Sequence, residues 1–277
     1  MTFVDRLAFV QSRTCSLLCI GLDTDPASVP AFLRRSRNAV LDFNRRIIDA
    51  THDLVCAYKL NLAFYEALGK SGWITIHKTL EYIPAGILSI GDAKRGDIGN
   101  TAELYAESLF DDFRFDACTV SPYMGRDSVE PFLAHKRKGV FVLGITSNPG
   151  ARDFQHLKIG KQPLYEYVAC TVAGWNKQKN CGLVVGATRP SQLKRIRTLA
   201  PHLPLLIPGV GAQGGDLRSA VRYGCDKRGV GAIINVSRSI IFASGKKDFA
   251  VASRTAALLL RNQIEAIRER HFGVGLR

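Results

Sequence analysis

The sequence predicts an α/β protein, a single (β/α)8 or TIM barrel. Three observations carry that expectation. Short runs rich in Val, Ile and Leu recur eight times, at Leu17–Leu22, Leu54–Leu60, Gly86–Ile90, Ala117–Val120, Val140–Ile145, Leu183–Val185, Leu205–Pro208 and Ala232–Val236. Each reads as a parallel strand buried on both faces, which shows a continuous apolar run and no alternation. The polar stretches between them are long enough for crossover helices. A chain of 277 residues without a Gly/Ser linker or low-complexity tract suits one barrel spanning 1–277. A doubly wound sheet usually stops at about five to seven strands.

The helical segments are read in the same way. Arg189-Pro190-Ser191-Gln192-Leu193 opens a helix with Pro in its first turn, where the missing N–H costs nothing. Asp248–Arg270 reads as a long final helix, apolar at Ala252, Ala256, Leu259, Leu260 and Ile264, with a frayed tail at Gly273–Arg277. Thr75–Tyr82 reads as an extra helical piece between the second and third units.

Composition narrows the class. The chain is 46% hydrophobic and 22% charged, with 25 Gly and 11 Pro, which excludes fibrous and disordered proteins. No stretch of about 18 or more apolar residues occurs, so no membrane span is expected. The start Met1-Thr-Phe-Val-Asp5-Arg lacks the apolar core of a secretory signal, and a cytoplasmic location is expected. The 38 basic and 24 acidic residues leave a net charge of +14. The basic residues are scattered over short runs: Arg34-Arg35-Ser36-Arg37, Lys136-Arg137-Lys138, Lys194-Arg195-Ile196-Arg197 and Lys246-Lys247. No tail or arm gathers them and no aromatics interleave, so they read as solvated faces, with no nucleic-acid partner. The seven cysteines form no C-x-x-C and the six histidines are isolated, which points to reduced thiols and no metal site built from them.

Polar residues end nearly every predicted strand: Asp23, Lys59, Asp92, Lys94, Ser121, Thr146, Ser147, Gln213 and Arg238. Active sites of this architecture lie at the C-terminal ends of the strands, so these residues converge on one rim. The segment Asp92-Ala-Lys94-Arg-Gly-Asp97-Ile98-Gly-Asn-Thr101 is the densest. Strand alternation turns Asp92 and Lys94 the same way, and Gly96 permits a tight exit that leaves Asp97 to begin the next helix. Asp97 as a plain helix N-cap is the alternative there. Neighbouring carboxylates favour the ammonium form of a lysine and keep it ready to deliver a proton. Pro208-Gly-Val-Gly-Ala-Gln213-Gly contains G-x-G-x-x-G in the seventh unit, not the first. In a barrel that is the usual place for phosphate, with Arg238 from the eighth strand as a guanidinium fork for its oxygens.

These residues resemble a known family. Asp92-Ala-Lys94-Arg-Gly-Asp97-Ile98-Gly-Asn-Thr101 is similar to the signature of orotidine 5′-monophosphate decarboxylases, and Val120-Ser-Pro-Tyr-Met-Gly-Arg-Asp-Ser-Val-Glu-Pro-Phe132 resembles their longer bacterial-type branch. Matches at Gly21-Leu-Asp23, Tyr58-Lys59, Thr146-Ser-Asn-Pro-Gly150, Pro208–Gln213 and Arg238 run in the same order along nearly the whole chain. The resemblance implies conversion of orotidine 5′-monophosphate to uridine 5′-monophosphate and carbon dioxide, with neither metal nor organic cofactor. It implies that Lys94 protonates C6, that Asp92 lies against the departing carboxylate, and that Lys59 and Asp23 reach the ribose. It further implies a homodimer in which Asp97, Ile98 and Thr101 enter the neighbouring site. Ser147 would read the pyrimidine edge, while Pro208, Gln213 and Arg238 would hold the phosphate. The D-x-K-x-x-D core alone is shared with metal-dependent sugar-phosphate decarboxylases and synthases, which remain the alternative. A basic polyanion-binding barrel gives no reason for carboxylates beside the lysines.

Overall fold

A computed structural model describes residues 1–210 and 215–274. Eight parallel strands close into a barrel in sequential order: β1 (Leu18–Gly21), β2 (Ala57–Asn61), β3 (Leu88–Arg95), β4 (Ala117–Val120), β5 (Gly139–Ile145), β6 (Cys181–Val185), β7 (Leu205–Pro208) and β8 (Ala232–Val236). The closing pair is β1 with β8, in the register Leu18–Ile234 and Ile20–Val236. The expected TIM barrel is therefore observed. A small antiparallel hairpin, Lys158–Ile159 with Gln162–Pro163, lies outside it.

Each strand serves two cores. Outward side chains such as Leu18, Ile20, Tyr58, Val140, Leu183, Ile207 and Ile234 pack beneath the helices. Inward ones, among them Cys19, Ala57, Leu88, Ile90, Ala117, Phe141, Leu206 and Ile233, fill the lumen. Burial on both faces explains why the runs are continuously apolar.

The lower end of the lumen is closed by a helix, Phe3–Thr14, that the strand reading passed over. Its Phe3, Leu7 and Val10 join the inward core, and Phe3 meets Phe141 edge-on at 5.9 Å. Thr2 and Asp5 form a reciprocal capping box at its start. At its end, Gln11 donates to the Ala232 carbonyl at 2.6 Å and accepts the Gly231 N–H at 2.8 Å. With that end plugged, the C-terminal end of the barrel is the one left open.

Three expectations shift. The third strand begins at Leu88 and runs on to Arg95, past the expected end at Ile90, so Asp92 and Lys94 lie on the strand itself. Thr75–Tyr82 belongs to the helix Lys70–Tyr82, which is the crossover of the second unit and not an addition to it. The last helix runs Phe249–Phe272, but its buried positions are Phe249, Ser253, Ala257, Ile264, Glu265 and Arg268, and Leu259 faces out. A buried Glu265–Arg268 ion pair at 2.7 Å occupies the inner face, which a search for apolar spacing overlooks. No helix among the described residues is long and apolar enough to cross a membrane.

Candidate active site

The alternation that fills the lumen also supplies the mouth. Two residues beyond inward Ala57 comes Lys59; beyond Ile90 comes Asp92; beyond Ala117 comes Thr119. Strand β1 ends at Gly21, where a Cβ would lie 2.9 Å from the Ser237 Cβ and 3.2 Å from Asp23 Oδ2. Glycine there lets Asp23 and the end of β8 close in, and Ser237 donates to the Gly21 carbonyl at 2.8 Å.

The charged side chains form a chain across β1, β2 and β3. Lys59 Nζ lies 3.2 Å from Asp23 Oδ1 and 3.1 Å from Asp92 Oδ2. Lys94 Nζ lies 2.6 Å from Asp92 Oδ1. The Thr119 hydroxyl donates to the same Asp92 oxygen at 2.9 Å and accepts the Lys94 N–H at 2.9 Å. Lys59 is buried and Asp92 nearly so, whereas the Lys94 side chain is 47% exposed and opens to the mouth. A buried hydrogen-bond network fixes the loop that carries Asp23. Tyr65 donates to the Leu22 carbonyl at 2.7 Å, Asn44 donates to Tyr65 and Thr79, and Thr24 donates to Asn44.

Burial works against charge on both central groups, and their neighbours overcome it. Desolvation opposes the Lys59 ammonium, yet Asp23 and Asp92 hold its pKa above the ordinary lysine value. Desolvation likewise opposes the Asp92 carboxylate, yet Lys59 and Lys94 hold its pKa well below the usual carboxylate range. Both groups are therefore charged at neutral pH.

Of the residues singled out from the sequence, Asp23, Lys59, Asp92 and Lys94 are brought together. Of the others, those that the structure describes stand at or beyond the ends of β3, β5, β7 and β8. Ser147 is exposed, two residues beyond β5. Pro208 ends β7 and accepts the Ala187 N–H at 3.0 Å, and the following Gly209 has φ 93°, a conformation suited to glycine. Arg238 is exposed and begins the short helix Arg238–Ile241 after β8. Gln213 lies outside the described residues. Asp97 is not a helix N-cap: the helix is Gly99–Glu107, Ile98 is its cap residue, and Asp97 accepts the Ile98 N–H at 2.8 Å. Thr101 is half-buried in the first turn of that helix.

Thr119 and the Thr24–Asn44–Tyr65–Thr79 network were not found from sequence. A signal for Thr119 exists, since it is the one polar inward position of β4 and a buried hydroxyl needs partners.

The geometry defines a class: a (β/α)8-barrel enzyme with lysine–carboxylate acid–base groups at the C-terminal ends of its strands. Comparison with known proteins goes further. The model of the orotidine 5′-phosphate decarboxylase / HUMPS family matches residues 16–252, and the chain belongs to that family. An orotidine 5′-phosphate decarboxylase of Dehalococcoides mccartyi is 48% identical over 274 residues, covering 98% of this chain and 100% of that protein. Another, from an Azoarcus species, is 48% identical over 272 residues, covering 97% and 100%. Among solved structures, the Leishmania donovani OMP decarboxylase superposes with a TM-score of 0.85 at 42% identity, covering 97% of this chain and 99% of that one. These relatives bear the decarboxylase name, so the sugar-phosphate alternative is not favoured.

The depressed pKa of Asp92 sets an acid limb of stability. Its charge contributes stability above the ordinary carboxyl value, about 3.9, and that contribution is lost as pH falls below it toward the folded value. In urea unfolding between about pH 7 and pH 3, wild type should lose stability more steeply than Asp92→Asn below about pH 4. Parallel curves through the acid range would contradict the ionised, paired state of Asp92.

Proposed function

We propose that this chain decarboxylates orotidine 5′-monophosphate to uridine 5′-monophosphate, using neither metal nor organic cofactor. The observation that carries the reading is the Asp92 carboxylate, buried and charged between the Lys59 and Lys94 ammonium groups. The family's decarboxylases among its relatives support the choice of substrate.

Such a site meets the reaction's electrostatic demand. As the bond from C6 to the carboxylate breaks, its electron pair stays on C6 and carbon dioxide leaves. The Lys94 ammonium stabilises the developing negative charge and delivers a proton to C6; the neutral amine is then reprotonated from water. Asp92 lies against the substrate carboxylate and orients Lys94. Lys59 and Asp23 engage the ribose hydroxyls, and Ser147 reads the pyrimidine edge. Pro208, Gln213 and Arg238 form the phosphate grip. The barrier reduction needed lies near the upper end of the usual range, about 23 kcal/mol, so binding energy from the remote phosphate is drawn into the transition state.

The same reading makes the enzyme a homodimer with shared sites, Asp97, Ile98 and Thr101 entering the neighbour's mouth. Apolar surface around that segment supports it: Ile98, Leu104, Tyr123 and Met124 are all exposed. A cytoplasmic location agrees with seven unpaired thiols, five of them buried.

Lys94→Ala should lose at least about tenfold in kcat, a barrier rise of about 1.4 kcal/mol or more, while uridine 5′-monophosphate still binds. Orotidine 5′-monophosphate absorbance follows the loss, and retention of more than about a tenth of turnover would remove Lys94 as donor. The same assay should be insensitive to EDTA. For site sharing, inactive Lys94→Ala and Asp97→Ala proteins are mixed under subunit exchange. Half the dimers are then mixed with one intact site each, so roughly a quarter of wild-type activity returns. Exchange confirmed by mass without recovery places Asp97 in its own chain's site.

A further inference from the structure

Strand β3 carries three residues where its partner carries one. Between the pairs Gly91–Cys118 and Arg95–Val120 stand Asp92, Ala93 and Lys94 on β3, against Thr119 alone on β4. A bulge of this kind interrupts the ladder and re-aims side chains, often beside an active site. Lys94 sits at φ 49°, in the left-handed region that a lysine rarely adopts. Such a conformation persists only where its surroundings impose it.

Thr119 is placed to impose it. Its hydroxyl oxygen accepts the Lys94 N–H at 2.9 Å, so its proton turns to Asp92 Oδ1, also at 2.9 Å. At 1% exposure Thr119 is shielded from water that would replace these bonds. One hydroxyl thus ties the backbone of the exposed lysine to the carboxylate that its own ammonium contacts.

We propose that Thr119 is a positioning residue for the decarboxylation, holding the Lys94 backbone and the Asp92 carboxylate in the geometry that meets C6. The role rests on the decarboxylase reading given above. Thr119 acts through Lys94 and Asp92 and touches no reacting atom. Without the hydroxyl, the Lys94 backbone relaxes toward extended φ and its side chain swings, while Asp92 is left with the two ammonium groups alone. A displacement of about 1 Å at a reacting group costs about 100-fold in rate.

The test uses Thr119→Val, Thr119→Ala and Thr119→Ser. Val and Ala should lower kcat about 10- to 100-fold, with KM and affinity for uridine 5′-monophosphate within about threefold of wild type. Ser, which keeps the hydroxyl, should stay within about threefold in kcat. Should the Val protein fail to fold, the Ala and Ser pair gives the same reading. The role is overturned if both Val and Ala turn over at wild-type kcat, if product affinity falls in step with kcat, or if Ser is as impaired as Ala. A wild-type protein without turnover overturns the reaction and this role together; wild-type turnover undiminished in both Thr119→Val and Thr119→Ala overturns the role alone.

Discussion

A carboxylate taken out of water must have its solvation rebuilt by the protein, and Asp92 is that carboxylate. Removing a single ion from water costs several kcal/mol even after relaxation, and a buried charge left unpaired is among the most destabilising features a fold can carry. Three donors answer for it: the ammonium groups of Lys59 and Lys94 and the hydroxyl of Thr119. Lys59 in turn is answered by Asp23. The series Asp23, Lys59, Asp92, Lys94 alternates in sign and sums to zero, so the mouth is highly polar without burying net charge. Its last member is the most open to the mouth, and it can surrender a proton while the rest stay fixed.

The scaffold holds each member from behind. Lys59 rises from the middle of the sheet between β1 and β3, its register fixed by Gly21 on one side and Ile90 on the other. The Asp23 loop hangs from the buried Thr24–Asn44–Tyr65–Thr79 network, which reaches across three helices. The lumen beneath is packed by Phe141 and plugged by Phe3, Leu7 and Val10. Electrostatic stabilisation depends on donors that need not move when charge develops, and this packing removes their freedom to do so.

Much of this was legible in the sequence because parallel strands buried on both faces announce themselves as apolar runs. The ends of β4 and β7 fell where the runs predicted. The gathering of Asp23, Lys59, Asp92 and Lys94 followed from strand count and strand ends. What escaped has physical reasons. The Phe3–Thr14 helix is amphipathic but short, and its apolar residues fill a lumen instead of covering a sheet. The bulge at Asp92–Lys94 is invisible to alternation, because two extra residues in a strand leave no mark on composition. Simple alternation would have aligned Asp92 with Lys94; the structure aligns them through a left-handed Lys94 and the Thr119 hydroxyl. The inner face of the last helix was misjudged because Glu265 and Arg268 pair with each other in the interior, where apolar spacing has no voice.

The proposed reaction depends on the Lys94 ammonium being aimed at C6 by the charge of Asp92. Proton delivery and proton removal pass through the same transition state, so the group that protonates C6 also deprotonates it. The direct measurement is hydrogen exchange at C6 of uridine 5′-monophosphate in D2O, followed by NMR with wild-type protein and with Lys94→Ala at saturating nucleotide. Slow enzyme-dependent exchange is expected with wild type, and none above the uncatalysed background with Lys94→Ala. Exchange that persists undiminished without Lys94 would remove Lys94 as the group that moves the C6 proton.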